Sequence, residues 1–297
     1  MKILITGGSG LIGSSLIPIL PPCDVSVYTR NVAMAEQILG HKINFLSTLS
    51  HLSNLDDYDV VINLAGEPIA DKKWTDEQKR KIEHSRWSIT EDIVTLINAG
   101  ENPPNLLISG SAIGFYGRQE DQVIDENFSS PHDEFSHQLC KRWEVLAKKA
   151  QSDKTRVCIL RTGVVITKKG GALQKMLMPF KLGLGGPIGE GSQYMSWIHL
   201  EDMLHGIAHL ITNESCEGVY NFTAPNPVTN AEFSRELAAS LSRPCVFKMP
   251  EFVLRIIMGE MADLVLYGQR VVPQRLEESG YKFIYPKISQ ALDCLRK

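Results

Sequence analysis

The sequence predicts an α/β fold: a doubly wound parallel sheet with helices on both faces, followed by a smaller C-terminal lobe. Three observations predict it. Residues Met1 to Arg30 read as strand, glycine-rich turn, helix and strand. Short apolar runs then recur, each separated from the next by a stretch with helical spacing, as the crossovers of a parallel sheet require. Beyond residue 170 a glycine-rich segment and an apolar tail follow, which lie outside that alternation.

The opening unit carries the sharpest signal. Ile3 to Ile5 is an apolar run, and Gly7, Gly8, Ser9, Gly10, Leu11, Ile12 and Gly13 follow at once. Gly7 lets the chain turn sharply out of the strand. Gly10 lets the backbone approach a pyrophosphate, and Gly13 lets the helix pack closely on the strand. The pyrophosphate then meets the unpaired N–H groups where Leu11 and Ile12 open the helix. This is the first half of a Rossmann-like dinucleotide fold. The helix pattern runs through Leu16, Ile17 and Leu20, and Pro21-Pro22 closes it.

The second strand, Val25 to Tyr28, ends on Thr29 and Arg30. An acidic residue near this point would hold a ribose 2′-hydroxyl. Arg30 instead suits a 2′-phosphate, through charge-assisted bidentate hydrogen bonds. The expected cofactor is NADP(H).

Ile43 to Leu46 is a weak third strand, and Asp59 to Ile62 a buried fourth ending in Asn63, Leu64, Ala65 and Gly66. Small residues there allow close approach of a ligand. A long helix spans Thr75 to Asn98, with Thr75 and Gln78 as a capping-box pair. Pro103-Pro104 breaks the chain before the strand Leu106 to Ile108, which ends in Ser109 to Ala112. A charged loop leads to a helix over Phe135 to Ala150. Arg156 to Leu160 gives another strand, running into Arg161 to Val165. In the segment Gly170 to Gly191, a helical piece Leu173 to Phe180 precedes Gly183, Gly185, Gly186 and Gly189. These glycines fit a phosphate-cradling nest or, equally, a lid or hairpin. Asp202 is placed to cap a helix through Ile207 and Leu210, and Asn230 one through Leu241. Val219 to Phe222 is the last strand, and Phe252 to Met258 an apolar helix in the tail.

Bulk properties exclude several classes. A chain of 297 residues with 43% apolar and 22% charged residues is a globular protein of one large domain or a domain with a cap. A formal net charge of −3 gives no support to nucleic-acid or anionic-membrane binding. No apolar run has membrane-spanning length, and the N-terminus lacks a signal-peptide layout. Six scattered cysteines (Cys23, Cys140, Cys158, Cys216, Cys245 and Cys294) have no metal spacing and read as reduced thiols of a cytoplasmic protein. No metal site is expected, and the sequence fixes no oligomeric state.

The stretch ILITGGSGLIGSSL resembles the extended short-chain dehydrogenase/reductase superfamily, which includes sugar-nucleotide epimerases and dehydratases. ISGSAIGFYG resembles that superfamily's serine strand end and Tyr-Gly pair, and WIHLEDM its strand-to-helix junction, where His199 is structural. The resemblance implies that Leu64 and Ala65 line the adenosine or ribose side of the cofactor and that Arg86 contacts it. It implies that Thr162, Gly163 and Val165 border it on the far side. It also implies that Ser111 polarises a substrate group beside the nicotinamide and that Tyr116-Gly117 lines the substrate side.

The superfamily's helix after this strand carries Tyr-x-x-x-Lys, an acid/base tyrosine and the lysine that lowers its pKa. Here Ser136 and Cys140 stand in those places. A serine hydroxyl is a far poorer acid than a phenol of pKa about 10. His137 and Lys141, four apart and so on one helix face, are a substitute acid/base pair or simply a partly exposed histidine and a solvated lysine.

INLAGEPIADKKW, MLMPFKLGLGGPIGEGSQYMSWIHLEDM and GQRVVPQRLEESGY together resemble the YfcH-type epimerase-family proteins, nearly end to end. The implied organisation is an NADP(H)-binding domain over 1–170 with a returning segment 196–228, and a substrate-binding lobe from 171–195 and 229–297. The implied activity is that of an oxidoreductase or epimerase on a small polar metabolite. The rival is a non-catalytic NADP(H)-binding sensor or partner-support module, favoured by the missing tyrosine and lysine.

Overall fold

A computed structural model describes residues 1–296; Lys297 and the side chains of Cys294 and Arg296 lie outside that description, and with them the expected thiol of Cys294. In chain order the strands are β1 (Lys2–Thr6), β2 (Asp24–Tyr28), β3 (Asn44–Leu46), β4 (Val60–Asn63), β5 (Leu106–Ala112), β6 (Val123–Ile124), β7 (Arg156–Thr162), β8 (Val164–Ile166), β9 (Tyr194–Met195), β10 (Trp197–His199), β11 (Gly218–Phe222), β12 (Val228–Thr229) and β13 (Arg270–Val271). The main helices are α1 (Leu11–Leu16), α2 (Val32–Leu39), α3 (Asp76–Asn98), α4 (Phe135–Lys148), α5 (Gly171–Lys181), α6 (Leu200–Thr212), α7 (Asn230–Ser240) and α8 (Glu251–Met258).

Seven strands form one parallel sheet in the order β11-β7-β5-β4-β1-β2-β3. Ile3 to Ile5, Val60 to Ile62 and Leu106 to Ile108 are buried on both faces, which is why they read as unbroken apolar runs. The connection reverses direction between β1 and β4. The C-terminal edge at that switch point is where such sheets bind ligands.

The first helix is shorter than its pattern. α1 ends at Leu16 and continues as a 3-10 turn over Ile17–Ile19. Pro18, without an N–H, cannot close an α-helical bond to Ser14, so Pro18 and not Pro21 sets the end. α2 is an element the apolar pattern did not announce; Asn31 caps it by accepting the Met34 N–H at 3.0 Å. At α3, Thr75 accepts the Gln78 N–H at 3.2 Å, but the reverse half of the expected box is not made: the Thr75 N–H donates to the Lys73 carbonyl at 2.9 Å.

The glycine segment after α5 is packed. A Cβ on Gly186 would lie 1.5 Å from the Phe247 carbonyl oxygen, and Gly189 and Met249 are joined by a backbone hydrogen bond of 2.9 Å. The segment is thus held as a strap against residues 247–249. Asn230 does not cap α7; Thr229 does, while the Asn230 Oδ1 accepts the Ile188 N–H and pins the strap.

Asp202 likewise does not cap α6. His199 does, its Nδ1 accepting the Glu201 N–H at 3.3 Å. Asp202 is fully buried and accepts from the Tyr281 hydroxyl and from the Ile284 and Tyr285 amides, which anchors the tail on the domain. The tail thus joins several cores: Leu276 and Tyr281 enter the main one, Ile288 and Leu292 a second built on α5 and α7, and Val271 a third around Tyr116. α8 buries none of its residues, and Phe252 and Ile256 face solvent.

Candidate functional site

The glycine turn has the backbone its residues demanded. Gly7 sits at φ +70°, and a Cβ there would come within 2.6 Å of the Leu64 carbonyl. A Cβ on Gly13 would strike the Gly7 oxygen at 2.5 Å, so Gly13 seats α1 against the turn. Gly10 differs. It is exposed, and its Cβ would meet only the Gly7 oxygen, at 3.2 Å. The face of Gly10 is therefore free for a ligand, as pyrophosphate approach requires. A Cβ on Gly170 or Gly171 would lie 3.8 or 3.2 Å from the Leu11 side chain at the start of α1, so the segment after β8 folds back near the turn.

Arg30, two residues beyond β2, is an exposed side chain with no ion pair or hydrogen bond among the described residues. Leu64, Ala65 and Gly66 leave the end of β4 half-exposed or exposed. Against Gly66 lies the guanidinium of Arg86, whose Cζ would be 2.9 Å from a Cβ there. Arg86 is half-buried on α3, 5.4 Å from the Trp143 ring centroid, and burial pulls its pKa below the ordinary value. Thr162, Gly163 and Val165 leave β7 partly exposed, but Gly163 has a packing reason too: a Cβ would lie 2.6 Å from the Ser196 oxygen.

Ser111 stands at the end of β5, and its hydroxyl proton is turned into the protein. It donates to Glu144 at 2.8 Å. Glu144 is 2% exposed and Arg161 4%, and they pair through both carboxylate oxygens at 2.8 and 2.9 Å. Arg161 also donates to the Tyr116 hydroxyl at 3.0 Å, which in turn donates to Asn221 at 2.7 Å. Tyr116 is fully buried, so it does not line a substrate cleft. Burial pushes its pKa up to about 12 against the lowering effect of Arg161.

The face of α4 opposite Gly114 carries Ser136 and Cys140, which a Cβ on Gly114 would approach to 3.2 and 3.7 Å. Neither offers the chemistry of a tyrosine or a lysine. Ser136 donates to Glu134 at 2.6 Å. The Cys140 thiol is pushed up to about 11 by burial and then by the Glu144 charge, so it is neutral. His137 and Lys141 are not brought together: His137 is buried with its Nδ1 on the Phe115 carbonyl, while Lys141 is exposed. A small cavity of about 50 Å³ opens beside Ser136, between Trp74, Phe135, Arg118 and Asp263. A larger polar groove, about 520 Å³, lies at the opposite edge of the sheet near Asn105 and Lys154, far from these groups.

A glycine turn at the switch point of a parallel sheet, a free arginine at the end of β2 and a serine at the end of β5 define a dinucleotide-binding α/β protein of the extended short-chain dehydrogenase/reductase kind. The comparisons name the family. Residues 3–222 match the NAD dependent epimerase/dehydratase family, and residues 249–295 match a domain of unknown function, DUF1731. The chain is 40% identical over 303 residues to an epimerase family protein SDR39U1 homolog, chloroplastic, of Arabidopsis thaliana, covering 99% of this chain and 86% of that one. It is 38% identical over 295 residues to the epimerase family protein Mb2239 of Mycobacterium bovis, covering 98% and 96%. The crystal structure of human epimerase family protein SDR39U1 with NADPH superposes with a TM-score of 0.91 at 31% identity, covering 100% of this chain and 99% of that one. The chain belongs to the NAD-dependent epimerase/dehydratase family, in its SDR39U1-type epimerase branch.

Proposed function

We propose that this chain binds NADP(H) and acts as an oxidoreductase or epimerase on a small polar metabolite, without the tyrosine and lysine of its relatives. Arg30 is the observation that carries the reading. It is an unpaired guanidinium where an NAD-binding protein carries an acid. The human relative's NADPH supports the same cofactor.

Bound NADPH supplies a hydride at the nicotinamide. The chain's residues hold and orient. The turn from Gly7 to Gly13 offers the pyrophosphate the N–H groups of Leu11, Ile12 and Gly13, and Arg30 grips the 2′-phosphate. Leu64, Ala65 and Gly66 line one side, and Thr162, Gly163 and Val165 the other. Ser111 gives its own proton to Glu144 and so offers lone pairs, which suit a substrate hydroxyl as hydrogen-bond donor. Among the acid/base candidates, His137 is held by a backbone carbonyl and Lys141 reaches only into solvent, so neither matches the strand-end serine in position. The five described cysteines are free thiols, which supports a reducing compartment such as the cytoplasm.

The second reading, a non-catalytic NADP(H) sensor or support module, is favoured by one observation: Ser111, Tyr116 and Ser136 all give their protons to other protein groups. Calorimetric titration tests the shared part. NADPH should bind more tightly than NADH, and Arg30→Ala should weaken NADPH by about 1.5–3 kcal/mol. Equal affinity of the unaltered chain for both cofactors defeats the cofactor assignment. Oxidation of NADPH across a panel of small polar carbonyl compounds then separates the readings, since the sensor predicts tight binding and no turnover with any of them.

A further inference from the structure

We infer that the exposed apolar surface formed by α5, the strap that follows it and α8 is covered by a second copy of this chain, in a two-fold dimer that brings the two α8 helices together. The inference stands apart from the NADP(H) reading and does not depend on it.

α8 has the composition of a core helix without a core. Its sequence is EFVLRIIM, six apolar residues in eight, and none of them is buried. Phe252 and Ile256 lie one turn apart on one face and are 65% and 71% exposed. The outer side of α5 extends this surface. Leu173, Leu177 and Phe180 enter the second core, which leaves Met178 and Leu182, again one turn apart, facing outward. Val246 and Phe247, on the stretch that leads to α8, are exposed as well.

Backbone pairing holds these pieces together as one preformed surface. The Gly189 N–H donates to the Met249 carbonyl, and the Met249 N–H donates to the Pro187 carbonyl, each at 2.9 Å. Gly186 lies so close to the Phe247 carbonyl that no side chain would fit between them. The segment before α3 ties the two helices on another side. Lys175 of α5 pairs with Asp71, and the Lys73 Nζ donates to the Ile256 carbonyl at 3.1 Å.

The size of the patch matches a protein interface. Of the eighteen large apolar side chains exposed among the described residues, nine fall between residues 178 and 257. Together they present on the order of 700 Å² of surface. The largest apolar patch on a typical monomer is about 300–600 Å². Each partner in a standard interface contributes about 800 Å².

The charges around the patch select the occupant. An anionic membrane or an acidic peptide draws on lysines and arginines free to meet it. Here Lys175, Lys248 and Arg255 are each paired with a carboxylate of the chain itself: Asp71, Glu190 and Asp263. Exposed Lys181 and Glu251 add one charge of each sign. A two-fold interface needs this balance, because the same surface must complement itself. With the α8 helices antiparallel across the axis, Phe252 of one protomer meets Ile256 of its partner, and Glu251 comes opposite Arg255.

The test is sedimentation velocity of the purified full chain over a dilution series. At about 10 μM the chain should be a dimer, since an interface of this size supports a dissociation constant of about 1 μM or below. Phe252→Glu puts an unpaired charge at the centre of the interface and should raise that constant at least about a hundred-fold. Leu182→Glu should do the same from α5, independently of α8. Both side chains are exposed, so circular dichroism and melting temperature of the monomer should stay unchanged. Met34→Glu alters an equally exposed apolar residue on α2 and should leave the dimer intact. A monomeric unaltered chain overturns the inference, as does a dissociation constant unmoved by either Phe252→Glu or Leu182→Glu. Co-flotation of the unaltered chain with phosphatidylcholine vesicles, lost in Phe252→Glu, would assign the patch to a membrane and overturn it equally.

Discussion

Ser111 gives its hydroxyl proton to Glu144 across 2.8 Å, and Glu144 is in turn gripped on both oxygens by Arg161. A serine that the superfamily aims at a substrate is thus aimed into the protein. The buried ion pair turns the hydroxyl and fixes α4 to the ends of β5 and β7. With Tyr116 and Asn221 it forms a network in which each group has a partner, as buried polar groups need.

Glu144→Gln is expected to be severely destabilising. It leaves the Arg161 guanidinium, 4% exposed, without a counter-charge. Breaking a buried pair from one side costs about 3–5 kcal/mol, whereas replacing both partners by apolar residues of similar volume is often neutral. Urea unfolding should therefore show a large loss in Glu144→Gln and a smaller one in Glu144→Leu with Arg161→Met. A single variant within about 1 kcal/mol of the unaltered chain would mean that water reaches the pair.

Stability should fall with acid partly through His199. Burial lowers its pKa below the ordinary 6.5, against the raising effect of Glu201 and Asp202. The unfolded chain then takes up a proton more readily than the folded one, so the contribution is present above 6.5 and is lost as pH falls below it. His199→Asn keeps an acceptor for the Glu201 N–H but does not titrate. Thermal unfolding from about pH 7.5 to pH 5 should show a shallower acid slope in the variant. Parallel slopes would assign the acid sensitivity elsewhere.

Two glycines of one turn should behave differently. A methyl group on Gly13 meets backbone atoms at 2.5 and 2.7 Å, so Gly13→Ala should distort the turn and lower both stability and NADPH affinity. On Gly10 it meets one oxygen at 3.2 Å and otherwise points outward. Gly10→Ala should keep a native circular dichroism spectrum and lose NADPH affinity. Normal binding by the Gly10 variant would remove the ligand from that face.

The sequence announced the sheet and the glycine turn because both are local. A parallel strand buried on two faces is an apolar run, and a turn that needs φ near +70° at Gly7 needs glycine. α2 went unread because it is short and its pattern weak, although Asn31 before it was a usable cap signal. The Glu144–Arg161 pair joins residues 17 apart through a fold contact, and no spacing rule predicts that. One trace was present: Glu144 lies within the apolar stripe of Leu139, Cys140, Trp143 and Ala147, and a glutamate there must be buried with a partner. Asp202 misled for a related reason. Its place near a helix start suggested a local cap, but its hydrogen bonds go some 80 residues onward to the tail.

Nucleotide sugars handled by the epimerases and dehydratases of the wider family should be turned over slowly or not at all. Those enzymes move a proton through a tyrosine poised by a lysine as hydride moves to the nicotinamide. Here the residues of α4 beside Gly114 are Ser136 and Cys140. Ser136 spends its proton on Glu134, and Cys140, pushed up to about 11, keeps its own at neutral pH. Tyr116, in the turn that follows β5, is fully buried and pushed up to about 12, so it does not replace the missing one. A positioned acid/base contributes about 10²–10⁴-fold, and its loss should be visible. Placement by Ser111 alone leaves only a residual rate. The measurement is incubation of the purified chain with NADP⁺ or NADPH and a panel of UDP- and GDP-sugars, following nicotinamide absorbance and, for epimers, product chromatography. Turnover near a typical enzyme's rate of about 10 per second would defeat the expectation. Loss of that activity in His137→Ala or Lys141→Ala, but not in Ser136→Ala, would then identify the group that took over the proton.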